Sequence, residues 1–375
     1  MKTSHATVRR TLIQTGNGVL ILLVAIAIAL LVFHQVGLIN AWRFPLKPIA
    51  AFLGGGGLAC FTLAWFSTRR WKKRLLRAVL IAFIATNAIA YLGAYSLTHF
   101  KEPGQIGLGA PRPHDSRVPS DGGMKYTVQR IPINGTEWLE TWFIPARRSE
   151  HRGTVLLFPG RGGDKASQLF GPAKILRKLN YDTLLVDFRG VGGSSGTTTT
   201  LGMREAQDVA FALNYARKLD VERPIILYGI SMGTSAILRA IASENVEPDA
   251  IILELPFARL LDAVKVRLQA LNIPSFPLGE LMIFWGSIQH GFNGFAHNPV
   301  AYATHVNCPT LLLHGQRDRW TSRAEIDAIF KNLPGSKQLV LFPAAAHQLL
   351  VAVNRDRWAD SIDRFLTTHT LRIQN

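Results

Sequence analysis

A Gly-x-Ser-x-Gly motif stands near the middle of the chain, in the segment YGISMGTS. Gly229, Ser231 and Gly233 follow a short apolar run and precede a helical stretch. At such a strand-to-helix turn the serine projects its hydroxyl above a sheet, and small neighbours let strand and helix approach each other. The motif predicts that Ser231 is a nucleophile at a nucleophile elbow. A simple strand-to-helix turn is the alternative interpretation.

A serine hydroxyl is a weak nucleophile, so its activation requires a histidine base and a carboxylate that orients the base. Asp318 follows the apolar run TLLLH, and His347 follows the run QLVLF. Both residues therefore lie at strand ends, in the chain order Ser231, Asp318, His347. We expect these three residues to be catalytic, whereas a loop-capping aspartate and a surface-loop histidine are the alternatives.

Acyl transfer also requires donors for the oxyanion that develops on the substrate. The backbone N–H of Met232 comes directly after the nucleophile. A glycine-rich turn, Pro159 to Gly163, follows the run TVLLF and offers the N–H of Arg161. We expect an oxyanion hole at Met232 and Arg161, although such a turn is also required wherever backbone geometry demands glycine.

Short apolar runs alternate with helix-length stretches over most of the chain. This alternation predicts an α/β fold with a mostly parallel sheet covered by helices on both faces. Two further runs, joined across Asn134-Gly135, predict a β-hairpin. The strand-like runs cover residues 126–131, 139–144, 154–158, 183–187, 225–229, 250–254, 310–314 and 338–342.

The first 100 residues have a different composition, with three long stretches that lack charged side chains. Segments 19–36 and 78–97 are long and apolar enough to span a bilayer, and segment 49–66 is less so because it contains Gly54 to Gly57. A cleaved signal peptide is the alternative for the first segment, but two further apolar runs follow it. We therefore predict three transmembrane helices in residues 1–100, a Pro- and Gly-rich linker over 101–125, and a globular domain over 126–375.

The net charge of +17 is concentrated before the globular domain. Residues 1–115 hold 13 Lys or Arg and only 2 Asp or Glu. No nucleic-acid-binding motif accompanies this charge, so we do not expect a nucleic-acid partner. The glycine-rich segments match neither nucleotide-binding pattern, and His290, His297 and His305 lack a metal-ligand motif, so we expect no metal or organic cofactor.

Residues 126–371 resemble the α/β-hydrolase superfamily. The resemblance rests on the nucleophile elbow, on VDFRGVGGSSG at residues 186–196 and on LLLHGQRD before Asp318. It implies the α/β-hydrolase fold, the triad and the oxyanion hole described above, with Pro159 standing where many relatives have His. It also implies a helical cap, here over residues 257–303, and four aromatic residues of this cap are candidate lining of an acyl pocket: Phe284, Trp285, Phe292 and Phe295.

Together these features predict a membrane-anchored serine hydrolase that cleaves a carboxylic ester or thioester, with a small-molecule or lipid acyl substrate. A peptidase or amidase with the same triad is one alternative, and a catalytically silent scaffold that binds a lipid or protein partner is another. Basic residues are concentrated in the tail before the first span and in the loop after the second. By the positive-inside rule, three spans then place the hydrolase domain on the non-cytoplasmic side of a bacterial cell membrane. If segment 49–66 does not cross, the domain lies in the cytoplasm instead.

Overall fold

The structure is a computed structural model that describes residues 70–370. The predicted spans 19–36 and 49–66 lie outside the described residues. Within the described part, residues 70–85 and 287–293 belong to one compact unit, and residues 86–286 and 294–370 belong to the other.

Ten strands are present in the described residues, and every apolar run that the sequence marks as a buried strand is one of them. Their bounds are β1 (Phe100–Lys101), β2 (Ala110–Pro111), β3 (Thr127–Pro132), β4 (Trp138–Ile144), β5 (Thr154–Phe158), β6 (Asp182–Val186), β7 (Ile225–Ile230), β8 (Ala250–Glu254), β9 (Thr310–Gly315) and β10 (Lys337–Phe342).

Eight of these strands form one sheet in the order β10-β9-β8-β7-β5-β6-β4-β3. Strands β5 to β10 are parallel, whereas β3 and β4 form the predicted antiparallel hairpin at one edge, and β4 pairs antiparallel with β6. The prediction of a mostly parallel α/β sheet is therefore confirmed. The carboxyl ends of its parallel strands lie at one edge, which is where α/β proteins place their ligand sites.

Helices cover both faces of this sheet. Alternate side chains of a strand point to opposite faces, and in β5 Leu156 and Phe158 belong to one core whereas Val155 and Leu157 belong to the other. The α-helices are α1 (Arg70–Thr98), α2 (Phe170–Lys178), α3 (Glu205–Lys218), α4 (Met232–Ser243), α5 (Leu260–Ala270), α6 (Leu278–His290), α7 (Pro299–Tyr302), α8 (Arg323–Asn332), α9 (Leu350–Val353) and α10 (Arg355–Thr370).

Helix α1 contains the third predicted span, residues 78–97. It has 29 residues and is long and apolar enough to cross a membrane. Large apolar side chains along it are exposed, among them Ile81, Ile84 and Ile89. Its last turns differ, because Ala90 packs into a core with the cap helices α5 and α6.

The stretch predicted as a linker packs in part against the sheet domain. Strands β1 and β2 pair within it. Arg112 Nε donates to the carbonyl oxygen of Gly192 at 3.1 Å, and the N–H of Asp115 donates to Asp164 at 2.7 Å. These contacts hold the stretch beside the loops at the carboxyl ends of β5 and β6.

His297, in the cap, is a buried packing residue. Its Nε2 lies 3.1 Å from the carbonyl oxygen of Leu201, and its Nδ1 lies 3.4 Å from the hydroxyl of Tyr302. Burial, together with the charge of Arg239, lowers the pKa of His297 to about 4. The folded protein therefore holds this imidazole neutral.

We predict that His297 makes the protein less stable in acid. The unfolded chain takes up the proton near a pKa of about 6.5, whereas the folded chain does so only near 4. Stability from this group is therefore complete above about pH 6.5 and is lost as the pH falls toward 4, by about 2 kcal/mol between pH 7 and pH 5. Denaturant unfolding of the full chain at both pH values measures it. His297→Gln should remove this part of the pH dependence, whereas His305→Gln, at an exposed position, should keep it. An unchanged dependence in His297→Gln would contradict the assignment.

Candidate active site

Ser231 occupies a strained turn between β7 and α4. Its backbone has φ +50° and ψ −106°, a conformation that side-chain-bearing residues rarely adopt. A Cβ on Gly229 would lie 2.6 Å from the carbonyl carbon of Gly233, and a Cβ on Gly233 would lie 2.5 Å from the carbonyl oxygen of Phe158. Only glycine fits at both positions. The motif therefore permits the close packing of β5, β7 and α4 that sets the direction of the serine side chain.

The structure brings the three predicted catalytic side chains together. Ser231 Oγ lies 3.1 Å from His347 Nε2, and His347 Nδ1 lies 2.7 Å from Asp318 Oδ2. Asp318 follows β9 and His347 follows β10, so neighbouring parallel strands deliver them to the same edge as Ser231. With Nδ1–H donating to Asp318, Nε2 is free to accept the serine proton.

The side chain of Asp318 is buried, and its environment favours the carboxylate. Oδ1 accepts the N–H of Trp320 at 2.7 Å and that of Thr321 at 3.2 Å. Burial opposes ionisation, but the hydrogen bond and charge of His347, with the N–H of Trp320, hold the pKa of Asp318 below its usual value. A negative Asp318 stabilises the imidazolium that forms when His347 takes a proton.

A second histidine lies close to the same carboxylate. His314 Nδ1 is 3.9 Å from Asp318 Oδ2, which is too far for a hydrogen bond. Burial lowers the pKa of His314, so its ring is neutral at neutral pH. His347 is therefore the imidazole that the carboxylate orients.

Both predicted oxyanion donors lie beside the nucleophile. A Cβ on Gly160 would come within 3.3 Å of Ser231 Cβ, so the glycine turn touches the elbow. Gln168 fixes this turn, since its Oε1 accepts the N–H of Gly160 at 2.7 Å. Within residues 70–370, the N–H of Arg161 donates to no backbone carbonyl. Met232 is the first residue of α4, where a backbone N–H has no intrahelical acceptor. These two N–H groups remain the predicted oxyanion hole.

Glu254 is a residue that the sequence reasoning missed. It ends β8 and is fully buried. Its Oε1 accepts the N–H of Leu350 at 2.8 Å, and its Oε2 accepts the hydroxyl of Tyr228 and the indole N–H of Trp358, each at 2.7 Å. Its carbonyl oxygen accepts the N–H of Ser231 at 2.8 Å. This one residue therefore connects the nucleophile elbow to the segment that follows His347.

Hydrogen-bond donors surround the Glu254 carboxyl. Burial raises its pKa above the usual value, and the N–H of Leu350, the indole of Trp358, the hydroxyl of Tyr228 and the charge of His347 offset only part of that rise. Its side-chain partners are all donors, which suits an ionised carboxylate. The only sequence signal was a glutamate at the end of an otherwise apolar strand.

A cleft opens beside Ser231, and its lining differs from the prediction. Met232, Arg161 and Arg267 line it together with apolar side chains, namely Leu97, Leu201, Phe257, Leu260, Ala263 and Val264. The cap aromatics Phe284, Trp285 and Phe295 are not among the residues that line this cleft, and an acyl pocket lined by them stays a prediction.

Packing explains where the aromatics lie. Trp285 donates from Nε1 to Asn87 at 3.1 Å and meets the Tyr91 ring edge-on, with ring centroids 5.6 Å apart. Phe284 packs against Trp285, and Phe295 is partly exposed. Helix α6 therefore turns Trp285 toward α1. The fourth residue, Phe292, belongs to the smaller unit, where its ring stacks on that of His290.

Comparisons with known proteins agree with this architecture. The family described as serine aminopeptidase, S33, matches residues 149–278. An esterase of Pyrococcus furiosus, Pf2001, superposes with a TM-score of 0.59 at 20% identity, covering 69% of this chain and 97% of the esterase. The chain has the α/β-hydrolase fold.

Two curated proteins have sequences similar to this chain. The lysophosphatidylserine lipase ABHD12 of Macaca fascicularis is 29% identical over 186 residues, which are 48% of this chain and 44% of the lipase. The uncharacterized protein YqkD of Bacillus subtilis is 26% identical over 191 residues, 50% of this chain and 63% of YqkD. The chain thus spans less than half the length of that lipase.

We predict that Glu254→Gln lowers kcat about tenfold, because an amide cannot accept from all three donors and the segment after His347 shifts. Steady-state ester hydrolysis measures the change. Glu247→Gln, an exposed glutamate in the loop before β8, is the matched control. A kcat equal to that of the wild type would show that Glu254 does not position the site.

Proposed function

We propose that this α/β-hydrolase is a serine hydrolase that cleaves a carboxylic ester or thioester through an acyl-enzyme on Ser231. The observation that carries the proposal is the continuous hydrogen-bonded chain from Ser231 Oγ through His347 to Asp318. Such a chain supplies the general base that a serine hydroxyl needs.

The geometry supports a two-stage reaction. His347 Nε2 takes the proton of Ser231 Oγ as the oxygen attacks the substrate carbonyl, and the N–H groups of Met232 and Arg161 stabilise the oxyanion. The tetrahedral intermediate collapses when His347 returns the proton to the leaving alcohol or thiol. Water then attacks the acyl-enzyme with the same histidine as base, which releases the acid and restores Ser231.

The substrate acyl group is apolar in this proposal. Six apolar side chains surround Ser231 in the cleft, and one of them, Leu97, comes from the apolar helix α1. A hydrocarbon chain buried there gains roughly 0.8 kcal/mol for each methylene removed from water. The similarity to a lipase and the fold of an esterase support a lipid or other ester substrate.

Peptide or amide hydrolysis is the second candidate, because the matching family is described as a serine aminopeptidase. The same triad serves both reactions, so only substrates separate them. A catalytically silent scaffold is less well supported, since nothing in such a role requires the strained serine or the aligned histidine. A panel of p-nitrophenyl esters, acyl thioesters and aminoacyl amides distinguishes the candidates by turnover.

We predict that a fluorophosphonate probe labels the full chain on Ser231, because an activated serine attacks phosphorus centres that ordinary serines do not. Ser231→Ala should abolish labelling. His347→Ala and Asp318→Asn should each lower ester turnover by about three orders of magnitude or more, through loss of the base and of its tautomer. Ser361→Ala, away from the cleft, is the control. Labelling that persists in Ser231→Ala would remove the serine from the reaction.

We also propose that helix α1 is a membrane span that anchors the enzyme. Its length, composition and exposed apolar surface support this. With the predicted spans 19–36 and 49–66, the hydrolase domain lies on the non-cytoplasmic side. Alkaline phosphatase fused to the carboxyl terminus should then be active in a bacterial host and green fluorescent protein dark. The reverse result would reject the three-span topology and leave the catalytic assignment intact.

A further inference from the structure

The cleft at Ser231 contains two arginines in an otherwise apolar wall. Arg161 follows β5, and Arg267 projects from cap helix α5. Two cations among aliphatic side chains beside a nucleophile are not needed to hold a neutral acyl chain.

Both arginines are anchored by backbone carbonyls. Arg161 Nε donates to the carbonyl oxygen of Leu97 at 3.0 Å, and an Arg267 terminal nitrogen donates to that of Ala263 at 2.8 Å. The Arg267 guanidinium also lies over the Trp320 ring, 5.2 Å from its centroid. A guanidinium has five N–H donors in a planar fork. These contacts therefore orient each guanidinium and leave some of its N–H groups available to bind a ligand.

No carboxylate in the described part of the chain forms an ion pair with either arginine. Asp318 is the carboxylate whose charge acts on Arg267 and raises its pKa, but it forms no ion pair with it. Its oxygens are already occupied by His347, Trp320 and Thr321. The two positive charges in the cleft are therefore not neutralised by the protein's own acidic groups.

The electrostatics of the pair favour an anion between them. Burial lowers the pKa of Arg161, and the neighbouring positive charge of Arg267 adds to this effect. Burial likewise lowers the pKa of Arg267. Both groups stay protonated at neutral pH because an arginine pKa starts above 12. Two like charges held close together in an apolar cleft repel each other, and a bound anion removes that cost.

A purely structural role explains Arg161 alone. Its donors reach the carbonyls of Ser96 and Leu97 at the end of α1, where a cation stabilises the helix terminus. That role does not account for Arg267, which comes from a different helix and faces the same cleft.

We propose that Arg161 and Arg267 form an anion-binding subsite beside Ser231, so that the preferred substrate is an ester with an apolar chain and a carboxylate or phosphate group. This inference rests on the proposed ester hydrolysis and specifies its substrate. The apolar wall binds the chain, and the two guanidinium forks bind the anion through charge-assisted hydrogen bonds.

Binding tests the subsite without requiring catalysis. The full-length Ser231→Ala chain in neutral detergent is titrated with octyl phosphate and with 1-octanol by calorimetry. Octyl phosphate should bind at least tenfold more tightly, and this preference should weaken as salt is raised. Adding Arg267→Gln should reduce the preference about tenfold, adding Arg267→Lys should reduce it less, and adding Arg364→Gln, an exposed arginine on α10, should not change it.

Kinetics of the wild-type enzyme then show whether the subsite binds an anion on the leaving group or on the acyl chain of the substrate. Monoacylglycerol is compared with its phosphate ester, where the charge is on the leaving alcohol. The p-nitrophenyl ester of octanoate is compared with that of suberate, where the charge is on the acyl chain. A higher kcat/KM for the charged member of either pair, reduced about tenfold by Arg267→Gln or Arg161→Gln, supports the subsite and assigns its side.

Two results would overturn the subsite. One is equal binding of octyl phosphate and octanol to the Ser231→Ala chain, and the other is a preference that Arg267→Gln and Arg161→Gln leave unchanged. Failure of the proposed hydrolysis looks different. Ser231 would then escape fluorophosphonate labelling, while the phosphate preference in the binding experiment would still report on the two arginines.

Discussion

The close approach of β5, β7 and α4 around Ser231 is the constraint on which the site depends. With a side chain at Gly229 or Gly233, atoms would come within about 2.6 Å of neighbouring backbone. Glycine at both positions allows the contact, and the surrounding core then holds Ser231 at φ +50°. Strain of this kind costs roughly 1–3 kcal/mol and persists only where packing enforces it. It directs the hydroxyl toward the edge of the sheet.

Parallel strands place the remaining groups around that hydroxyl. The loops after β5, β9 and β10 bring the glycine turn, Asp318 and His347 to the same edge. Glu254, at the end of the strand between β7 and β9, bonds to both the elbow and the segment after His347. A buried carboxylate with several donors is rigid, because each lost bond leaves a polar group without a partner. It can therefore keep the spacing of serine and histidine.

The sheet and the triad candidates were readable in the sequence because each left a local pattern. Buried parallel strands appear as short apolar runs, and the elbow requires two glycines at fixed spacing. Asp318 and His347 stood in the short loops that follow such runs. In each case a few neighbouring residues carried the information.

The cleft lining and Glu254 were not readable, because they depend on how distant elements pack. The cap aromatics looked like an acyl pocket, yet Trp285 turns toward Asn87 on α1. Leu97, from a helix that the sequence marked only as a span, lines the cleft instead. Glu254 accepts hydrogen bonds from residues as far as 104 positions away in the sequence. No local spacing reveals contacts of this range.

The central claim is that an ester transfers its acyl group to Ser231. Rapid mixing of the full chain with p-nitrophenyl octanoate, acid quenching within milliseconds and peptide mass spectrometry test it directly. The account predicts one octanoyl group on the Ser231 peptide, formed together with a burst of p-nitrophenol and absent from Ser231→Ala. Steady turnover with no acyl adduct on that peptide, or with the adduct on another residue, would contradict it.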